Sequence, residues 1–164
     1  MIDDIAGLRA LLAHTRTIAV VGLSADWFRP SYFAAKYMQE HGYRIIPINP
    51  KYPEILGEKS YPSLTALPPD LAREVDMVDC FRKTADILPI AQEAIQIGAK
   101  SLWQQLSIDN QAAVALAEAA GLHCVVDRCV KIEHARLFGG LNWAGVNTKV
   151  ISAKRPNARM SVGV

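Results

Sequence analysis

Residues 17–24 read TIAVVGLS. Ile18, Ala19, Val20 and Val21 form an unbroken apolar run that closes on Gly22. An alternating pattern would mark a strand with one wet face; a continuous run marks a strand covered on both, as in a parallel sheet. Gly22 ends the run with the backbone freedom a tight turn needs.

The flanking sequence repeats the theme. Residues 3–14, DDIAGLRALLAH, place Ile5, Leu8, Leu11 and Leu12 at helical spacing, with Asp3 or Asp4 as the cap. Arg29-Pro30-Ser31 opens the helical segment SYFAAKYMQEHG, which stops at Gly42. Then come a second strand, RIIPINP over 44–50, and a loop over 51–70. The loop carries five prolines and glycines and has room only for a short helix. A third strand, VDMVDCF (75–81), precedes a helix over 85–98, with Pro89 near its first turn and Gly98 at its end. KSLWQQL (100–106), a helix over 108–121 and LHCVVD (122–127) continue the alternation, and 129–138 forms a last helix. Residues 139–164 are a C-terminal extension in which TKVISAKR alternates like an edge strand. Strand and helix in turn, joined by short loops, predict an α/β fold: a doubly wound, mostly parallel sheet of five or six strands.

Length and composition agree. At 164 residues the chain suits one domain, since chains usually divide beyond about 250–300 residues. Hydrophobic residues make up 51% and charged residues 21%, which argues against disorder. No apolar run reaches the ~18 residues of a membrane span. Acids stand near the N-terminus where a secretory signal carries Lys or Arg, so export is not expected. Net charge is +2, with Lys149, Lys154, Arg155 and Arg159 gathered in the extension, too few on one element for nucleic acid. Cys80, Cys124 and Cys129 form no CxxC pair, and an odd count fits a reducing cytoplasm better than a disulfide framework. His14, His41, His123 and His134 show no metal spacing.

Open parallel sheets bind ligands beyond the carboxyl ends of their strands. The residues there are Gly22-Leu23-Ser24, Asn49-Pro50-Lys51, Phe81-Arg82-Lys83, Trp103-Gln104-Gln105 and Asp127-Arg128-Cys129. Cations and a helix N-terminus suit phosphates. Aromatics suit a base or a pantetheine arm. The first turn has one glycine and no GxGxxG, and Asn49-Pro50-Lys51 replaces the acid that would hold an NAD ribose. NAD is disfavoured; NADP or coenzyme A remains.

The ordered set RPSY (29–32), NPK (49–51), DCFR (79–82), WQQ (103–105) and DRC (127–129) resembles the small stand-alone CoA-binding proteins of Rossmann-like fold. These are similar to the CoA-binding domain of the succinyl-CoA synthetase alpha subunit. The likeness runs over about residues 3–157 and implies coenzyme A or an acyl-CoA as ligand. By that resemblance Gly22 and Ser24 contact phosphate. Arg29, Pro30, Ser31 and Tyr32 stand at the start of the next helix. Lys51, beside Asn49 and Pro50, lies near the adenosine 3′-phosphate, and Phe81 and Arg82 line the adenine or ribose side. Trp103, Gln105, Arg128 and Cys129 lie toward the pantetheine end. Leu23 departs from the small residue many members carry.

Each residue also has a plainer role. Arg82 has Asp79 or Asp86 as partners, Trp103 suits the core, and Cys80 and Cys124 suit buried packing. Cys129 follows a strand beside Arg128, a cation that lowers a thiol pKa, and so is a candidate for a mixed disulfide with CoA. No catalytic His–carboxylate–nucleophile set assembles, so the expectation is a ligand-binding protein rather than an enzyme. The alternatives are an NADP-dependent oxidoreductase with Tyr32 or His134 as proton donor, and a ligand-controlled regulatory module. The extension, as an edge strand, would pair two copies into a homodimer.

Overall fold

The computed structural model describes residues 1–139. The chain runs α1 (Ile5–His14), β1 (Thr17–Val21), α2 (Pro30–Glu40), β2 (Arg44–Ile48), β3 (Glu54–Ile55), β4 (Glu58–Lys59), α3 (Pro69–Arg73), β5 (Met77–Cys80), α4 (Ile87–Gln96), β6 (Ser101–Gln104), α5 (Gln111–Ala119), β7 (His123–Val125) and α6 (Val130–Phe138). Five strands form one parallel sheet in the order β2-β1-β5-β6-β7. The order reverses between β1 and β5, where successive crossovers go to opposite faces of the sheet. The strands end sooner than the apolar runs: β1 stops at Val21 because Gly22 turns away with φ +84°. The 51–70 stretch holds a small antiparallel hairpin of β3 and β4, and the short helix, α3, begins only at its end and runs beyond it to Arg73. Leu56 and Gly57 make the hairpin's two-residue turn with positive φ at both positions, the geometry that matches strand twist. The predicted edge strand in TKVISAKR and the dimer built on it lie outside the described residues. Among the described residues no helix is long and apolar enough to cross a membrane.

Local chemistry sets the helix starts. The Asp4 side chain accepts from the Gly7 N–H at 2.8 Å, and the Asn110 side chain from the Ala113 N–H at 2.9 Å. Pro30 and Pro89 sit in first turns, where the missing N–H costs no helical bond.

Alternation sorts the strand residues onto two cores. Ala19, Ile46, Ile48, Val78, Cys80, Leu102 and Cys124 pack with α4 and α5. Ile18, Val20, Ile45, Met77, Trp103 and Val125 pack with α1, α2 and α6. The second core also encloses polar groups. The Asp79 carboxyl is buried, and burial pushes its pKa from 3.8 up to about 7. His134 of α6 is buried against α2: its Nδ1 lies 3.0 Å from the Tyr37 hydroxyl, and its ring is 5.3 Å from that of His41. Burial, then His41, hold its pKa below 6.5.

Two predictions follow from this packing. Leu102 is wholly buried at the sheet centre, so Leu102→Ala should cost about 2–5 kcal/mol; denaturant melts that show a smaller loss would mean the site collapses around the gap. The second concerns pH. As pH falls below about 6.5 the unfolded chain protonates His134 before the native state does, so stability falls toward acid. Asp79 works in the opposite sense: the native carboxyl binds its proton first, so stability is lost as pH rises from about 4 to about 7. In the shared window the two oppose each other. Asp79→Asn should therefore steepen the loss toward acid, and His134→Gln should expose a loss toward neutral pH. Denaturant midpoints at four pH values between 4.5 and 7.5 check this; three superimposable profiles contradict it.

Candidate functional site

The carboxyl ends of β1 and β5 approach too closely for a side chain. A Cβ on Gly22 would sit 2.5 Å from the Phe81 carbonyl oxygen, and its φ of +84° is one that L side chains rarely adopt. The Gly22 N–H donates to the Ile48 carbonyl at 2.9 Å, and the Phe81 N–H to the Val21 carbonyl at 2.9 Å. This ties the ends of β2, β1 and β5 together. Beyond them opens a cleft of about 360 Å³ lined by Gly22, Asn49, Pro50 and Arg82, by the 62–64 loop, and by Asp86, Pro89, Ile90 and Glu93. It occupies the point where the strand order reverses, the place where open α/β sheets take ligands.

The loop after β1 is braced by its own hydroxyls. The Ser31 hydroxyl accepts from the Ser24 N–H at 3.0 Å, and the Ser24 hydroxyl from the Asp26 N–H at 3.1 Å. Asn49 donates from Nδ2 to the Leu23 carbonyl at 2.9 Å and accepts from the Lys51 N–H at 2.9 Å. Ser24, Ser31 and Asn49 therefore build the turn. Pro30 begins α2, and Arg29 precedes it with no side-chain cap on the helix. Arg29 is exposed, 3.9 Å from Asp26. Lys51 is exposed, and Tyr32 packs half-buried against the second core. Arg82 is half-exposed and 3.6 Å from Asp86, one of the two partners the sequence offered.

The other candidates gather at the ends of β6 and β7. Trp103 is fully buried, and its Nε1 donates to the Arg128 carbonyl at 2.7 Å. Gln105 is buried and donates to Asp79 at 2.6 Å. Cys129 caps α6 and is half-buried. The expectation that Arg128 lowers the Cys129 pKa does not hold. The Arg128 guanidinium turns to the buried Glu133 carboxylate at 3.4 Å, and burial pushes the Cys129 thiol up despite N–H groups of Ile132 and Lys131 that act the other way.

Sequence reasoning missed the far wall of the cleft. Glu93 of α4 accepts from the Leu64 and Thr65 N–H groups at 2.9 and 3.3 Å, pinning the loop that brings Ser63 and Leu64 to the cleft. The prolines and glycines of 51–70 were visible as loop signals, but no periodicity tied that loop to α4. Chemically the cleft offers a glycine turn and a guanidinium for an anion, the Asp86 carboxylate for hydroxyl or amino groups, and apolar faces from Pro50, Leu64, Pro89 and Ile90 for a flat ring.

Comparison with known proteins agrees with this fold. Uncharacterized protein YneT of Bacillus subtilis (strain 168) is 34% identical over 130 residues, 79% of this chain and 93% of that protein. A hypothetical protein from Pyrococcus horikoshii OT3 superposes with TM-score 0.78 at 38% identity, over 83% of this chain and 93% of that one. A Thermus thermophilus protein superposes with TM-score 0.75 at 34% identity, over 82% and 99%. The family described as CoA binding domain matches residues 16–135. The chain belongs to the CoA-binding-domain family.

Proposed function

We propose that the protein binds coenzyme A or an acyl-CoA across the carboxyl ends of its parallel strands, as a ligand-binding protein rather than an enzyme. The observation that carries this reading is the cleft at the sheet's reversal point, where a turn that admits only glycine meets the half-exposed Arg82. Family membership supplies the ligand class. In this reading Arg82 and the Gly22 turn hold phosphate, Asp86 meets ribose hydroxyls or the adenine amino group, and Pro50, Leu64, Pro89 and Ile90 cover the ring. Lys51 and Arg29 supply further cations at the rim. Trp103, Gln105, Arg128 and Cys129 stand toward the pantetheine end, the first two as supports of the wall. The free thiols of Cys80, Cys124 and Cys129 fit a reducing, cytoplasmic setting.

Titration calorimetry with CoA, acetyl-CoA, NAD and NADP tests the reading. CoA or its thioester should bind and the dinucleotides should not; NADP binding with CoA ignored overturns it in favour of an oxidoreductase domain. Arg82→Ala should weaken CoA ten- to hundredfold, about 1.5–3 kcal/mol for one charge-assisted bond. Lys51→Ala should weaken CoA but leave dephospho-CoA unchanged, because the lysine is assigned to the 3′-phosphate alone. Equal losses for both ligands would move Lys51 to another phosphate.

A further inference from the structure

The Asp79 carboxyl lies inside the fold, and the cleft makes no use of it. Strand register sets it between Val20 and Trp103, both fully buried. Asp79 itself is 2% exposed. It accepts from the Cys80 N–H, and its Oδ1 accepts from Gln105 Nε2 at 2.6 Å. Gln105, 4% exposed, turns its Oε1 to the Val130 N–H at 3.4 Å. Val130 is the first residue of α6, and Cys129 is its cap.

A carboxamide has one donating end and one accepting end. While Asp79 is ionised, the Gln105 NH₂ must face it, and the Gln105 carbonyl is left for Val130. The reversed amide would set carbonyl against carboxylate and NH₂ against the Val130 N–H. Both contacts repel. A proton taken from solvent by Asp79 changes this. The protonated carboxyl still accepts from the Gln105 NH₂ through its carbonyl oxygen, but its new O–H also allows the reversed amide, in which it donates to Gln105 Oε1 and the Val130 N–H faces a donor and loses its acceptor.

We propose that Asp79 and Gln105 form a proton-operated latch on α6: the ionised carboxyl locks Gln105 onto the first helical N–H, and the protonated carboxyl frees the amide to reverse and let that N–H go. Burial pushes Asp79 to about 7, so the latch turns over near neutral pH. The groups around it are few. From α6 come the Cys129 thiol, Lys131, and Glu133 with its partners Arg128 and Arg136. The Cys80 thiol is the next residue of the strand. From β1 and β6 come the uncharged Val20 and Trp103, and just beyond β6 the uncharged Gln105. Cys129 sits on the turn that is released, so its surroundings change with the Asp79 proton. By linkage, anything that grips the start of α6 shifts the Asp79 midpoint, and the proton shifts that grip by the same factor. The inference stands whatever the ligand of the cleft.

Nuclear magnetic resonance of the wild-type chain between pH 5 and pH 9 is the test. The Asp79 carboxyl carbon, the Gln105 side-chain NH₂ and the Val130 amide should titrate together with one midpoint near 7. In Asp79→Asn, which cannot ionise, the Gln105 and Val130 transitions should vanish. A midpoint at the ordinary carboxylate value, or a Val130 amide that stays still while Asp79 titrates, overturns the latch. So does a Val130 transition that persists in Asp79→Asn. The wild-type arm needs no variant, so a poorly folding Asp79→Asn does not spare the proposal.

Discussion

The contact between Gly22 and the Phe81 carbonyl is the constraint from which the site follows. Parallel strands that fan apart at their carboxyl ends would leave a wide, shallow notch. Here β1 and β5 are drawn together until a single methyl group would not fit. Phe81 and Arg82 then stand directly over the turn: the Arg82 Cδ would lie 2.8 Å from a Cβ at Gly22. The cleft and its cation are set by one absent side chain. The hydrogen bond from Gly22 to Ile48 adds β2 to the same knot, which is why Asn49 and Pro50 share the cleft with Arg82.

The two faces of the sheet are built differently. The α4 and α5 face is filled mainly by Ala, Val, Ile, Leu and Cys side chains, and it also buries the uncharged Gln104, bonded to the α5 cap Asn110. The opposite face buries Asp79, Gln105, Glu133 and His134 among its apolar residues. Burying such groups costs free energy unless each finds a partner. They do: Asp79 with Gln105, Glu133 with Arg128 and Arg136, His134 with Tyr37. All of these partnerships bear on α6. That helix is held by ionisable polar pairings, whereas α4 and α5 are held mainly by apolar contact, with Glu93 and the Gln104–Asn110 bonds as their polar fixings. Polar pairings break at defined protonation states, and apolar contact does not.

The fold was legible because its signal is local. TIAVVGLS, VDMVDCF and the glycines at 42, 98 and 121 mark strands and helix ends within a few residues of themselves. The first half of the cleft was legible for the same reason: Gly22, Asn49, Pro50 and Arg82 follow strands, and the carboxyl ends of parallel strands lie along one edge of the sheet. The second half was not. Glu93 is one polar residue among several on an amphipathic helix, and nothing in the chain ties it to Leu64, 29 positions away. Arg128 shows a different limit. Adjacency put its charge beside Cys129, but its side chain reaches Glu133 instead, one turn into α6. Residues next to each other in sequence at a strand end point apart, and proximity along the chain is a poor guide to which charges meet.

The cations themselves divide by how firmly they are held. Arg29 and Arg82 stand 3.9 and 3.6 Å from Asp26 and Asp86, with all four side chains near half-exposed or more. Loose pairs in water are worth about 0–1 kcal/mol, so trading an aspartate for a phosphate costs little there. Arg128 and Glu133 are both largely buried, and breaking that pair would strand a charge in the core at about 3–5 kcal/mol. A ligand's anions are therefore met most cheaply at the β1–β5 end. At the β6–β7 end the described cation, Arg128, is already committed to Glu133, which in the proposed reading suits the uncharged part of the same ligand. A long molecule with phosphates at one end and a neutral arm at the other matches that gradient along the sheet edge, and a compact polyanion does not.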